Sequence, residues 1–229
     1  MERLNLIVDA DDTLWENNVY FDQAFAAFVA YLEHSTLNAD EIRGILDEIE
    51  LANSRVHGYG SLNFGRNLQQ CYRKLAEREI APSDLESVKG FALRILEQPL
   101  ELIPGVEETL AYLSHRHDLT LFTKGNAEEQ KTKIERSGLG EYFSHAEIVK
   151  EKNVESYQAL IDLRGISPES AWMIGNSPKS DINPALEAGL NAVFIPHSTT
   201  WTLEREQLRD PEPRRLVILQ RFADLHNVF

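Results

Sequence analysis

Apolar residues change their spacing twice along this chain. Leu4-Asn5-Leu6-Ile7-Val8 is a short run, β-branched at its end, and predicts a buried strand that stops at Asp9-Ala10-Asp11-Asp12-Thr13. The period then becomes helical, with Phe21, Phe25, Phe28, Val29 and Leu32 on one face. Asn38-Ala39-Asp40-Glu41 resembles a capping box and opens a second helix carrying Ile42, Ile45, Leu46 and Ile49. A third helix carries Leu68, Cys71, Tyr72 and Leu75. A fourth opens at Pro82 and aligns Leu85, Val88, Ala92, Ile95 and Leu96. Residues 16–98 therefore read as an all-helical module, with a glycine-bearing loop holding Arg55, His57, Tyr59, Ser61 and Arg66 between its second and third helices.

Beyond Pro99 strands and helices alternate. Helices are expected near Gly105–Ser114, from Asn126 to Gly138, around Val154–Ile161 and up to Gly189. Strands are expected at Leu119–Phe122, Ala146–Val149, Ala171–Ile174 and Ala192–Ile195, and a further one near Leu216–Leu219. Such alternation means parallel βαβ units. The expected fold class is α/β: a doubly wound parallel sheet built from residues 1–15 and 99–229, with the helical domain of residues 16–98 inserted after the first strand.

Composition narrows the function classes. At 229 residues, 42% hydrophobic, the chain is long enough for a core and a smaller module. Its formal net charge of −14 repels phosphate backbones, so no nucleic-acid partner is expected, and any phosphate site needs local positive charge. One cysteine, Cys71, excludes an internal disulfide and fits a cytoplasmic location; no apolar run approaches a membrane span. A monomer or homodimer is expected.

In an open α/β sheet ligands sit outside the carboxyl ends of the strands. Four such ends carry a coherent polar set: Asp9, Asp11 and Thr13; then Thr123 with Gly125 and Asn126; then Lys150 and Lys152; then Asn176 through Asp181. On an extended backbone Asp9 and Asp11 face the same side and could converge on one point. Two close carboxylates repel unless a hard cation intervenes, and Mg²⁺ suits carboxylates with water and phosphate; Asp181 could complete the set. Asp11-Asp12-Thr13 also reads as a simple turn or helix cap. An aspartate can attack phosphorus to form an aspartyl phosphate, a second can exchange protons with the leaving and attacking oxygens, and Thr123 and Lys152 supply a donor and a fixed cation.

This set resembles the haloacid dehalogenase superfamily. The residues carrying the likeness are Asp9-Ala10-Asp11-Asp12-Thr13, Leu121-Phe122-Thr123, Lys152 (Lys150 as the less favoured substitute) and Gly175-Asn176 through Asp181. The resemblance implies an Mg²⁺-dependent phosphatase acting on a small phosphorylated metabolite, with Asp9 as nucleophile and Asp11 as acid and base. It implies Asp9, Asp11, Asn176 and Asp181 around the metal, and a mobile helical cap. Thr13, Trp15, Gly125, Asn126, His57, Tyr59 and Arg66 are the expected substrate contacts. Asn176 departs from the family's usual aspartate; its amide oxygen can ligate Mg²⁺ but brings no charge. A phosphosugar mutase, a haloacid dehalogenase, a phosphoacceptor signalling domain and a non-catalytic binding protein are the competing readings.

Overall fold

The computed structural model describes residues 3–209 and 215–229. The chain divides into two units, one made of Met1–Glu16 and Leu100–Phe229, the other of Asn17–Pro99.

The first unit is built on a six-stranded, wholly parallel sheet in the order β3-β2-β1-β4-β5-β6. Its strands are β1 (Asn5–Val8), β2 (Asp118–Lys124), β3 (His145–Val149), β4 (Ala171–Gly175), β5 (Asn191–Phe194) and β6 (Leu216–Ile218). β1 is central, with Val8 opposite Leu121 on one side and Ile174 on the other. A strand so placed is covered on both faces, which is why Leu6, Ile7 and Val8 are all apolar and fully buried. Alternation sends Leu6 and Val8 to a core shared with Leu110, Leu113, Phe222 and Leu225, and Ile7 to the opposite core with Phe122, Tyr157, Leu160 and Met173.

The crossover helices are α5 (Val106–Ser114), α6 (Ala127–Ser137), α7 (Val154–Arg164) and α8 (Asn183–Glu187) in chain order. Asn126 caps α6 by accepting from the Glu128 and Glu129 amides, and Gly138 ends it in the left-handed conformation. The helix expected before Gly189 is preceded by one wide turn, Pro178–Ile182, with π geometry. Such turns gather at functional sites.

The second unit contains only helices among its described elements: α1 (Asn18–Leu32), α2 (Ala39–His57), α3 (Ser61–Leu75) and α4 (Pro82–Leu93), followed by a short 3₁₀ turn, Arg94–Glu97. The capping box at Asn38 is formed in both directions, Asn38 accepting from the Glu41 amide and Glu41 from the Asn38 amide. Phe28, Leu46, Leu68, Cys71, Tyr72 and Val88 form its own core. Burial pushes the Cys71 thiol up to about 11, so it is an inert core group. The expected long loop is shorter. α2 runs on through Arg55 to His57 and α3 begins at Ser61, leaving Gly58–Gly60, with Gly58 at φ 73° and Gly60 at φ 111°. Two glycines at positive φ reverse the chain in three residues, so the flanking residues stay helical.

Candidate active site

β1 delivers Asp9 to the carboxyl edge of the sheet, where its amide still pairs with Ile174 on β4. The chain then leaves the extended conformation. The Thr13 and Leu14 amides return to the Ala10 carbonyl, and Asp12 adopts a left-handed φ of 60°. This turn brings Thr13 Oγ1 to 3.0 Å from Asp9 Oδ2 and 3.5 Å from Asn176 Oδ1. The oxygens of Asp9 and Asn176 thus flank one hydroxyl.

The same turn separates Asp11 from Asp9. Alternation along an extended strand does not hold here, and the Asp11 carboxylate takes its partners elsewhere. It accepts from Trp15 Nε1 at 2.7 Å, from Gln130 Nε2 at 2.8 Å and from Lys133 Nζ at 2.8 and 3.0 Å. Trp15, expected as a substrate contact, is fully buried among Leu14, Val106 and Leu110 and presents no surface to a ligand. Burial takes a large apolar ring out of water, and its one polar atom is satisfied by Asp11.

Lys152 follows β3 and is 3% exposed; Lys150 lies on the surface. The Lys152 ammonium donates to Asp9 Oδ1 at 2.5 Å and to Asp181 Oδ1 at 2.8 Å. Burial opposes its charge, but the two aspartates outweigh burial and raise its pKa. For Asp9, burial comes first in pushing the carboxyl up, Asp181 adds to this, and Lys152 only partly offsets them. Its pKa ends at about 7. The centre therefore holds more buried carboxylate than its lysine neutralises.

Asp181 is fixed from both ends. Its Oδ2 accepts the Ser177 amide at 2.9 Å, and a Cβ on Gly175 would overlap its carboxylate. Ser177 caps the wide turn by accepting the Ser180 amide. Behind this turn Glu204 accepts from Ser177 Oγ at 2.7 Å, Ser180 Oγ at 2.5 Å and Lys124 Nζ at 2.6 Å. Burial pushes the Glu204 carboxyl up, yet Lys124 and the two serines outweigh it and hold it below the ordinary range.

Thr123, at the end of β2, accepts from Gln130 Nε2 at 3.0 Å, so its own hydroxyl hydrogen is available to another group. Gly125, at φ 148°, gives its amide to Val149, and the exposed Asn126 spends its side chain on the α6 cap. In the helical unit His57 and Arg66 are exposed, Tyr59 is half-buried, and Arg66 donates to Asn63.

Reasoning along the sequence passed over Gln130, Lys133, Glu204 and His197. The first two lie on one face of α6, three residues apart, beyond the second strand end; that spacing was their only signal. His197 Nε2 lies 3.3 Å from Glu16, and its Nδ1 lies 3.8 Å from Asp12. Among the described residues, these three form the one His/Cys/Asp/Glu group whose ligand atoms all lie within 4.8 Å of one another. The imidazole lies between the two acids. The oxygen donors around Asp9 fit a hard dication better: they are buried, unbalanced in charge, and include an amide oxygen beside the carboxylate.

The family of haloacid dehalogenase-like hydrolases matches residues 5–189. A phosphoserine phosphatase of Thermus thermophilus is 30% identical over 134 residues, 56% of this chain and 50% of that protein. The chain thus spans about half the length of the curated relatives it matches. Among solved structures, a haloacid dehalogenase-like family hydrolase from Xanthomonas campestris superposes with a TM-score of 0.86 at 28% identity, covering 99% of this chain and 90% of that one. A 2-haloacid dehalogenase from Pseudomonas syringae pv. Tomato DC3000 has the same fold, with a TM-score of 0.65 at 19% identity over 99% of this chain and 98% of that one.

Proposed function

We propose, from the premise that this chain belongs to the haloacid dehalogenase-like hydrolases, that it hydrolyses phosphate monoesters of small metabolites through a phosphorylated Asp9. The observation that carries the reading is the buried Asp9 carboxylate, held by Lys152 on one oxygen and Thr13 on the other, with Asp181 sharing the lysine.

An Asp9 oxygen attacks phosphorus and the ester P–O bond breaks. Asp11 gives its proton to the departing alkoxide, then takes one from the water that attacks the acyl phosphate, which releases phosphate and restores Asp9. Lys152 and the Thr123 hydroxyl supply charge and a donor to the phosphoryl oxygens, the local complement that a chain of net charge −14 requires. Mg²⁺ would be held by Asp9, the Asp11 carbonyl, the Asn176 amide oxygen and Asp181, directly or through water, where it would supply charge neutralisation for the phosphate and the crowded carboxylates. Asp11 separates this reading from a dehalogenase, whose halide leaving group requires no proton.

The purified protein is expected to hydrolyse p-nitrophenyl phosphate in the presence of Mg²⁺ and to lose this on chelation. Asp9→Asn should abolish turnover while the circular dichroism spectrum stays native. Near-normal turnover by Asp9→Asn, with contaminating phosphatase excluded, would remove Asp9 from the role.

A further inference from the structure

Resting on the phosphatase reading, we infer that Lys133 is the positioning residue for proton transfer by Asp11, acting together with Gln130 from the same face of α6. Two ammonium groups at this strand edge are divided between the aspartates. Lys152 serves Asp9 and Asp181, while Lys133 reaches both oxygens of Asp11, at 2.8 and 3.0 Å. Gln130 is 2% exposed, and its Nε2 lies within reach of Asp11 Oδ2, Thr123 Oγ1 and the Lys124 carbonyl at 2.8, 3.0 and 2.9 Å. One amide thus ties the acid–base residue to the donor expected to hold the phosphoryl group. Its Oε1 has no protein partner, so the buried amide is oriented by what its nitrogen serves. Trp15 Nε1 fixes Asp11 Oδ1 from the other side.

Trp15 and Gln130 are buried and rigid, whereas Lys133 sits at the end of a flexible stem with a side chain 19% exposed. When Asp11 turns one oxygen toward a leaving group, the lysine can follow or let go without disturbing the core. A carboxyl group gives up its proton, and the carboxylate takes one back, only where the geometry is already correct. Without Lys133 the Asp11 side chain keeps Trp15 and Gln130 but loses the donor that can follow it toward the leaving group. In the phosphorylation step the loss therefore falls on esters whose leaving oxygen needs a proton.

Turnover of an alkyl phosphate, chosen as the best substrate in a panel of alkyl monoesters, is compared with turnover of acetyl phosphate, whose leaving group needs none. Lys133→Met is expected to lower kcat/KM for the alkyl ester, which reports the phosphorylation step alone, by about tenfold or more and to leave kcat/KM for acetyl phosphate nearly intact, while kcat falls for both because Asp11 also serves the shared hydrolysis of phosphorylated Asp9. Lys133→Arg should restore most of the loss, and Lys133→Met should add nothing in an Asp11→Asn background. Lys133→Gln replaces Lys133→Met if the latter lowers Tm. Equal losses of kcat/KM on both substrates, an undiminished effect in the Asp11→Asn background, or no effect at all would overturn the assignment while leaving the phosphatase reading in place. A wild-type protein inert toward every phosphate ester would take down both.

Discussion

Position 175 tolerates no side chain. A Cβ there would overlap the Asp181 carboxylate, which cannot retreat because Lys152 holds one of its oxygens and the Ser177 amide the other. Gly175→Ala is therefore expected to cost about 1–3 kcal/mol of stability, as overpacked buried sites do, and to raise the Mg²⁺ concentration needed for half-maximal turnover. Thermal unfolding and a metal titration of activity check both; a variant with wild-type Tm and metal response would mean that Asp181 is free to move. This residue-level crowding was legible only in part. Asp9, Thr123, Lys152 and Asp181 stand where strands end, and sequence marks strand ends well. Lys133 and Glu204 meet their partners through space, from a helix face and a distant segment, and nothing in their neighbours' spacing announces it. Trp15 misled because proximity to a motif was read as proximity to a ligand. Its side chain instead turns into the core.

At the scale of elements, the short 3₁₀ turn Thr202–Glu204 acts as a strap across the back of the wide turn Pro178–Ile182. Glu204 accepts from Ser177, Ser180 and Lys124, so it couples the end of β2 to the loop bearing Asp181. Its folded pKa is depressed, so its contribution to stability is present above its unfolded pKa and is lost as pH falls through the folded one. Glu204→Gln should cost about 3 kcal/mol near neutral pH, because it leaves the Lys124 charge less well paired in a buried place. That gap should narrow as pH drops below the ordinary glutamate value of 4.5. Denaturant unfolding of both proteins across this range tests it; a gap independent of pH would mean that the carboxylate charge is not what matters. Elements with clear local signals were readable: the apolar run of β1 and the cap at Asn38 follow from local sequence. The π geometry after Pro178 was not, because a helical period survives one extra residue. Nor was the brevity of Gly58–Gly60, since glycine marks a turn without fixing how much of its flanks stays helical.

At the scale of the molecule, the sheet unit carries an apolar core on each face of its sheet, and the four helices have a core of their own. The chain leaves the sheet unit after Glu16 and returns at Leu100. Within that unit the Glu16 amide donates to the Glu101 carbonyl at 2.9 Å, and Trp15 bridges Leu102. Departure and return points are thus already side by side. Replacing residues 17–99 by a short Gly/Ser linker is expected to leave the parallel sheet folded, because no strand is touched and the closure is nearly complete. Hydrogen exchange should show protected amides in Leu6–Val8 and Leu119–Phe122; their absence would mean that the helices are required for the sheet to form. The strand order has a further consequence during synthesis. β1 is made first but finds its partners only when Asp118 and Ala171 have been translated. The helical unit lies between them, so it emerges from the ribosome complete while β1 is still unpaired. A nascent chain of this protein therefore folds from its middle outward, and the apolar residues of β1 spend the longest time waiting.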